Sequence, residues 1–178
     1  MQDRNSLKQL LATTILFSLA VGANAAPAGA AAATDAERTA FNYFVNKGLT
    51  KVQAAGIIGN LMQESSVRAT AAQFGGGPGR GIAQWEIGHR WDKDSRDNVV
   101  WFANLHKDQL WALNTQLDFI WYELMTFQNY GLGKLRAART VSDAVKVFQD
   151  DFEACGKCEA SQRIAFANRA LKTYGGGR

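Results

Sequence analysis

The feature that most constrains the fold is a helical pattern that begins at Thr50 and contains two glycines. Thr50-Lys51-Val52-Gln53 has the form of a capping box, in which the first and fourth side chains bond each other's backbone. The apolar residues after it recur at helical spacing: Ala54, Ile57, Ile58, Leu61 and Met62. Gly56 and Gly59 lie inside this pattern, where each weakens a helix by about 1 kcal/mol relative to alanine. We therefore expect another backbone to approach this helix closely.

Other parts of the chain carry the same periodicity. Thr34-Asp35-Ala36-Glu37 resembles a second capping box, and its helix is expected to end at Gly48. A short helix is predicted over 99–105, a longer one from about Asp108, one capped by Thr140, and a last one from about Ala160. The helix from about Asp108 has an apolar stripe of Leu110, Leu113, Leu117, Ile120 and Leu124. The helix capped by Thr140 carries Val141, Ala144, Val145, Phe148 and Phe152, and the last helix carries Ile164, Ala167, Leu171 and Tyr174.

Residues 66–98 lack a helical period and include the glycine-rich run 75–81. This composition predicts loops and a small β-hairpin. The whole pattern predicts an α-rich α+β domain of five to six helices with one irregular lobe around 66–98.

The N-terminus reads as a targeting segment. Residues 1–25 combine two basic residues, an uncharged run of 14 residues and an Ala-Asn-Ala cleavage pattern, as a secretory signal peptide does. A permanent membrane anchor stays open, although the run is short for a span. Residues 26–33 are an Ala-rich lead-in, and 34–175 form the predicted domain. We expect a periplasmic or secreted protein.

The net charge narrows the choice of partner. The chain carries +4, and +3 without residues 1–25. This excess fits work near an anionic polymer such as cell wall. It is too weak and too scattered for nucleic-acid binding.

Cys155 and Cys158 are the two cysteines of the chain. In an oxidising compartment their spacing favours a short local disulfide. Free thiols and a redox or metal role are the alternatives. A structural metal is not expected, because four ligands at zinc spacing are not present in the sequence.

Glu64 is the acid that the sequence singles out. It lies three residues after Leu61 and seven after Ile57, so it continues the apolar face of its helix. A carboxylate there must find a partner or stay protonated. A held proton is what glycoside cleavage requires of its general acid. Periodicity alone leaves two other interpretations open, a frayed helix end and a buried ion pair.

The order of motifs resembles the lysozyme superfamily. A helix ends in Glu64-Ser65, a glycine-rich loop follows, and then comes Gly81-Ile82-Ala83-Gln84-Trp85. Within the superfamily the pattern most resembles phage tail-associated lysozymes, and more distantly goose-type lysozymes and lytic transglycosylases. The resemblance extends over about residues 36–172.

The resemblance implies roles for individual residues. Glu64 would be the general acid, and Ser65 would orient it or cap the backbone. Gln84 would offer its amide to a sugar. Trp85 would be either a platform for a pyranose ring or part of the core. Gly81 and its neighbours would let the loop pass close to substrate, or would simply be flexible.

A second carboxylate is harder to identify. No Asp or Glu occurs between Glu64 and Trp85, whereas most glycosidases use a carboxyl pair. Glu86 is the best candidate of those that follow, ahead of Asp92, Asp94 and Asp97. The alternative is that Glu64 works alone, as acid and then base, as the resemblance to lytic transglycosylases implies.

The remaining polar residues are interpreted as structural. Asp118 and Glu123 are expected to face solvent or pair locally along their helix. Glu153 is expected to help fix the cysteine loop, with Arg163 as its partner. His89 and His106 lack a nucleophile pattern that would suggest a Ser or Cys triad.

The leading hypothesis is a glycosidase that cuts the bond between N-acetylmuramic acid and N-acetylglucosamine. An antibacterial toxin with the same chemistry, which would imply an immunity or inhibitor protein, and an inactive wall-binding module are the alternatives. We expect a monomer that needs no cofactor.

Overall fold

The computed structural model describes residues 34–155 and 158–176. These residues form seven α-helices and one two-stranded sheet: α1 (Asp35–Asn46), α2 (Lys51–Ser65), β1 (Gly79–Arg80), β2 (Trp85–Glu86), α3 (Val99–His106), α4 (Leu113–Thr126), α5 (Leu132–Ala137), α6 (Val141–Val147) and α7 (Ala160–Tyr174). Two 3₁₀ turns, Phe74–Gly76 and Gln128–Tyr130, and a π-helical turn, Phe148–Glu153, complete the structure. The predicted α-rich α+β class is confirmed. The predicted signal peptide, 1–25, and lead-in, 26–33, lie outside the described residues.

Helix α2 is the centre of the domain, and its two glycines allow the neighbouring helices to pack closely against it. It packs chiefly against α7 and α6, and then against α1. A Cβ on Gly56 would lie 2.5 Å from the Cβ of Ala144 in α6. A Cβ on Gly59 would lie 2.7 Å from that of Ala167 in α7. Because real side-chain atoms do not approach so closely, only glycine permits these helix contacts. The close approach predicted from the sequence is confirmed.

The two predicted capping boxes differ. At Thr50 both halves are present, with Thr50 Oγ1 accepting from the Gln53 amide and Gln53 Oε1 accepting from the Thr50 amide. At Thr34 the hydroxyl accepts from the Glu37 amide at 3.1 Å. The Glu37 carboxylate is instead buried and accepts from Arg169 of α7 at 2.9 Å. The second half of that capping box is therefore absent, because the Glu37 side chain pairs with Arg169 and not with the Thr34 backbone.

Two helix boundaries differ from the predictions, and one helix was not predicted. Helix α4 begins at Leu113 and not near Asp108, because Lys107 adopts a left-handed conformation that ends α3 and turns follow it. The helix capped by Thr140 changes to a π turn at Phe148. Helix α5 has no counterpart among the predictions, since its six residues are too short for a clear period.

The irregular lobe contains the predicted hairpin. Strand β1 pairs antiparallel with β2, and Gly79 lies opposite Glu86. The Gln116 side chain of α4 holds the lobe in place. Its amide nitrogen donates to the carbonyls of Ala69 and Leu110, both at 2.9 Å, and its oxygen accepts from the Ile82 amide at 2.9 Å. One buried amide thus joins three irregular segments.

Within the residues that the structure describes, none of the helices is both long and apolar enough to cross a membrane.

Candidate active site

A cleft of about 1170 Å³ lies between the helices and the irregular lobe. The C-terminal end of α2, the hairpin, the loop after β2 and the end of the π turn all line it. It brings together residues that the sequence analysis named for function and one that it named as structural, Glu153. The functional candidates that line it are Glu64, Gln84, Trp85, Glu86, Asp92, Asp94 and Asp97.

Glu64 lies in the last turn of α2, with its side chain 20% exposed. Its Oε1 accepts a hydrogen bond from Nη2 of Arg163 at 2.5 Å. The carboxyl group is therefore held on one side by a cation and open to the cleft on the other. Of the interpretations that periodicity left open, an ion pair is observed, and it stands in a cleft.

Arg163 is buried, 3% exposed, and is fixed by hydrogen bonds to three residues. It donates to Asn60 Oδ1 at 2.9 Å, to Glu64, and to the Cys158 carbonyl at 2.7 Å. Asn60 is itself fixed, since its amide donates to the carbonyls of Gly56 and Val145. Sequence analysis placed Arg163 with Glu153, but these hydrogen bonds go elsewhere. A charged residue on the apolar stripe of α7 is the signal that could have revealed its buried role.

Cys155 and Cys158 form a disulfide, as the spacing predicted. Cys155 lines the cleft, and the Cys158 carbonyl accepts from Arg163. The disulfide loop thus adjoins the residue that holds Glu64. Among the residues described, no group of His, Cys, Asp and Glu is arranged to bind a metal ion.

Ser65 connects the end of α2 to the lobe. Its buried hydroxyl lies 2.8 Å from the Ile82 carbonyl and 3.3 Å from that of Leu61. A hydroxyl has one hydrogen to donate, and the shorter distance favours Ile82. This contact fixes Glu64 relative to the segment that carries Gln84.

Gly81, Gln84 and Trp85 form the turn of the hairpin and its second strand. Gly81 has φ +73°, and a Cβ there would lie 2.7 Å from Oε1 of Gln116, so glycine is required. Gln84 lines the cleft and donates to the Gly81 carbonyl at 3.0 Å. Trp85 is only 2% exposed, and its ring packs edge-on against Phe119. Of its two predicted roles, the structure places the ring in the core.

The other candidate acids also line the cleft. Glu86 is exposed on β2, and Asp92, Asp94 and Asp97 follow in the next loop. Asp92 accepts from the Gly88 amide at 2.7 Å, so it shapes its own loop. His89 also lines the cleft, whereas His106 packs against Phe102.

Glu123 is fully buried beneath the hairpin, which corrects the prediction of solvent contact or local helix pairing. Its carboxylate accepts from Arg90 Nε at 2.8 Å and from Trp85 Nε1 at 3.2 Å. Burial raises the pKa of Glu123 to about 7, and Arg90 opposes that rise. Asp118, half-exposed, likewise pairs across the fold, accepting from the Tyr43 hydroxyl at 2.6 Å. Both partners lie far from their acids in sequence, where periodicity cannot detect them.

Glu153 ends the π turn and reaches the same cleft as Glu64. Burial raises its pKa well above the usual range, and the neighbouring Glu64 adds to the rise. Arg90 and Arg163 oppose it. Its Oε1 atom is buried with no hydrogen-bond partner among the described residues. The sequence analysis expected Glu153 to bond Arg163 as a structural pair and did not identify it as an acid of the cleft.

Comparison with known families supplies the identity of the domain. The model of the phage tail lysozyme family matches residues 35–174, which is nearly the whole described region. A comparison with curated proteins gives no significant match. The family match confirms the resemblance drawn from the two motifs, and it indicates peptidoglycan lysis in general, outside the cell or in the periplasm. The chain belongs to the phage tail lysozyme family.

Proposed function

We propose that this protein is an exported glycosidase that cleaves the β-1,4 bond between N-acetylmuramic acid and N-acetylglucosamine, with Glu64 as general acid. The observation that carries the proposal is the position of the Glu64 carboxyl group. It lies at a helix end, partly exposed inside a large cleft, and a buried arginine orients it. A general acid must be within hydrogen-bond reach of the oxygen that it protonates, and this exposure permits it.

The helices around Glu64 supply its orientation. Arg163 contacts Glu64 and Asn60 at once, and Asn60 lies one turn before Glu64 on α2. The carboxyl group therefore has few rotamers to lose when a sugar binds. Fixed geometry of this kind lowers the entropic part of a reaction barrier.

The lobe supplies the opposite side of the cleft. We assign Gln84 to direct contact with a sugar, because its side chain is half-buried and lines the cleft. Ser65, Gly81 and Trp85 act by holding that segment in place, since all three are buried. Phe74 is fully exposed at the rim and offers a flat apolar face to a pyranose ring.

Glu64→Gln in the full chain tests the acid. The amide keeps the shape of the side chain but has no acidic proton, so clearing of a bacterial wall suspension should fall at least about a hundredfold. Glu159→Gln is the matched control, because Glu159 is exposed and does not line the cleft. Circular dichroism should be unchanged in both variants. A Glu64→Gln protein that still clears walls would refute the assignment.

Mass spectrometry of the released fragments tests the reaction. Hydrolysis leaves reducing ends, whereas attack by the sugar's own hydroxyl leaves 1,6-anhydro ends. We expect reducing ends. Anhydro ends would identify a lytic transglycosylase, and cleavage of chitin oligomers at a similar rate would refute the proposed bond specificity.

Export is tested at the N-terminus. The proposal expects the protein recovered outside the cytoplasm to begin at Ala26, after cleavage of residues 1–25. N-terminal sequencing reads this directly, and an exported protein that keeps Met1 would refute it.

A further inference from the structure

Glu153 is an acid of the cleft that the steps above do not use. It is the last residue of the π turn, and it lines the same cleft as Glu64. Its Oε1 atom is buried without a hydrogen-bond partner among the described residues. An unsatisfied buried polar atom costs about 1–3 kcal/mol, so a purely structural role does not account for it.

Charged groups from four different elements face Glu153. Glu64 comes from α2, Glu123 from α4, Arg163 from α7 and Arg90 from the loop after β2. The two acids oppose ionisation of Glu153, and the two arginines favour it. Arg163 donates its hydrogen bond to Glu64, and Arg90 donates to Glu123 and to the Phe152 carbonyl. The direct contacts of both arginines thus go to other groups.

Glu64 and Glu153 therefore stand in different surroundings. Glu64 has an ion pair with a buried arginine, whereas Glu153 has a buried oxygen that no described donor satisfies. Neighbouring carboxyl groups resist being ionised together, so one of them keeps a proton to higher pH. Pairs of acids whose surroundings differ in this way divide the acid and base roles in glycosidases.

We propose that Glu153 is the second carboxyl group of the active site and that it shares a single proton with Glu64. This inference rests on the proposed function and replaces Glu86 as the candidate second acid. Glu86 is exposed on β2, whereas Glu153 lies close enough to Glu64 and to its partner Arg163 for both charges to act on it.

The reaction balances with one proton on the pair. In the resting pair the proton lies on Glu153, because burial and the neighbouring Glu64 favour its neutral form. When a sugar binds, that proton passes to Glu64, which gives it to the glycosidic oxygen as the bond from that oxygen to C1 breaks, and the electron pair stays on the oxygen. Water, or a hydroxyl group of the sugar, then bonds to C1, and its proton goes to ionised Glu153. The pair again holds one proton, which is back on Glu153 for the next cycle.

A carboxyl titration tests proton sharing without any substrate. Glutamate side chains labelled with ¹³C are followed by NMR in the full chain and in Glu64→Gln, with the Glu153 signal assigned by its loss in Glu153→Asp. Removing the neighbouring charge should lower the titration midpoint of Glu153 by about one pH unit or more. Glu159→Gln is the control and should leave it unchanged. An unchanged midpoint in Glu64→Gln would overturn the proposal.

The pH profile of wall lysis tests the role in the reaction. In Glu153→Gln the rate should fall about a hundredfold, and the alkaline limb should move to lower pH, because the pair has lost Glu153, whose raised pKa keeps a proton in the cleft to higher pH. Glu153→Asp keeps a carboxyl group and should restore part of the rate and the alkaline limb. Equal losses at every pH in Glu153→Gln would indicate a structural role and contradict the inference.

The two experiments separate this inference from the function on which it rests. If Glu64→Gln still lyses walls, the assignment of the acid fails, whatever the titration shows. If Glu64→Gln is inactive but the Glu153 midpoint does not move, only proton sharing fails. The titration uses the wild-type chain, Glu64→Gln and Glu153→Asp, so it decides the question even if Glu153→Gln does not fold.

Discussion

The two sides of the cleft are built differently. The helical wall is formed by the end of α2 and by the π turn, with α6 and α7 packed behind α2, and it carries Glu64 and Glu153. The loop wall consists of residues 66–98 and carries Gln84 and Glu86. In the helical wall, glycines let the helices approach within contact of their backbones. In the loop wall, order comes from a two-residue hairpin and from a few buried side chains that reach into it.

The difference separates a rigid part of the domain, which holds the acids, from an irregular part, which offers contacts to a polymer. Acids that transfer protons need fixed positions, and a packed helical core provides them. Groups that contact a long polymer need reach, and surface loops provide that. The loop wall nevertheless depends on the helical core, because Gln116, Ser65 and Glu123 all hold it from below. The predictions below test that dependence in order of expected effect.

Gln116→Ala should have the largest effect. The substitution removes the hydrogen-bond partner of the Ile82 amide and of the Ala69 and Leu110 carbonyls. The free energy of unfolding should therefore fall by about 3–4 kcal/mol. Gln162→Ala on α7 is the matched control, because that side chain is exposed. Urea unfolding measures both. A loss below about 1 kcal/mol would show that Gln116 does not hold the loop wall.

Glu123 should make stability depend on pH. Its pKa is about 7 in the folded protein against 4.5 as the ordinary value, so the folded state binds more protons between these pH values. The free energy of unfolding therefore decreases as pH rises through this range, by on the order of 3 kcal/mol. Glu123→Gln should reduce the decrease measured between about pH 5 and about pH 8, and Glu159→Gln should not. A stability that increases with pH would contradict this account.

Gly59→Ala tests the helical wall. The added Cβ would overlap Ala167 and the Arg163 carbonyl, so the protein should lose about 2 kcal/mol of stability and much of its wall lysis, as Arg163 is displaced. Gly133→Ala in α5 is the control, because a Cβ there meets nothing within 4 Å. That variant should gain about 0.5–1 kcal/mol from helix propensity. Equal effects of the two substitutions would refute close packing as the reason for Gly59.

Phe74→Ala should have the smallest effect on folding and should act on binding alone. The ring is fully exposed, so stability should change by less than about 0.5 kcal/mol. If the ring stacks on a sugar, KM for glycan strands should rise by about twofold to tenfold with kcat unchanged. Leu105→Ala is the control, an exposed apolar residue that does not line the cleft. An unchanged KM would remove Phe74 from the binding surface.

Much of this arrangement follows from local patterns in the chain. The capping box at Thr50, the glycines of α2 and the position of Glu64 on an apolar face are visible in the sequence, because they depend on neighbours within two or three helical turns. The hairpin in residues 66–98 and the Cys155–Cys158 disulfide are local for the same reason. The motifs at Glu64-Ser65 and Gly81–Trp85 then pointed to the family, which the match over residues 35–174 confirms.

Partners distant in sequence were decided by the tertiary structure alone. Arg163 meets Glu64 across 99 residues, and Gln116 meets Ile82 across 34. The local sequence does not show whether Arg163 pairs with Glu64 or with Glu153. The same holds for Trp85, which became core because Phe119 and Glu123 lie beneath it. The sequence determined that an acid stands at the end of a helix, whereas the packing of α7 and the π turn determined which charges surround it. Those charges act over a few ångströms in space, and separation along the chain does not encode that distance.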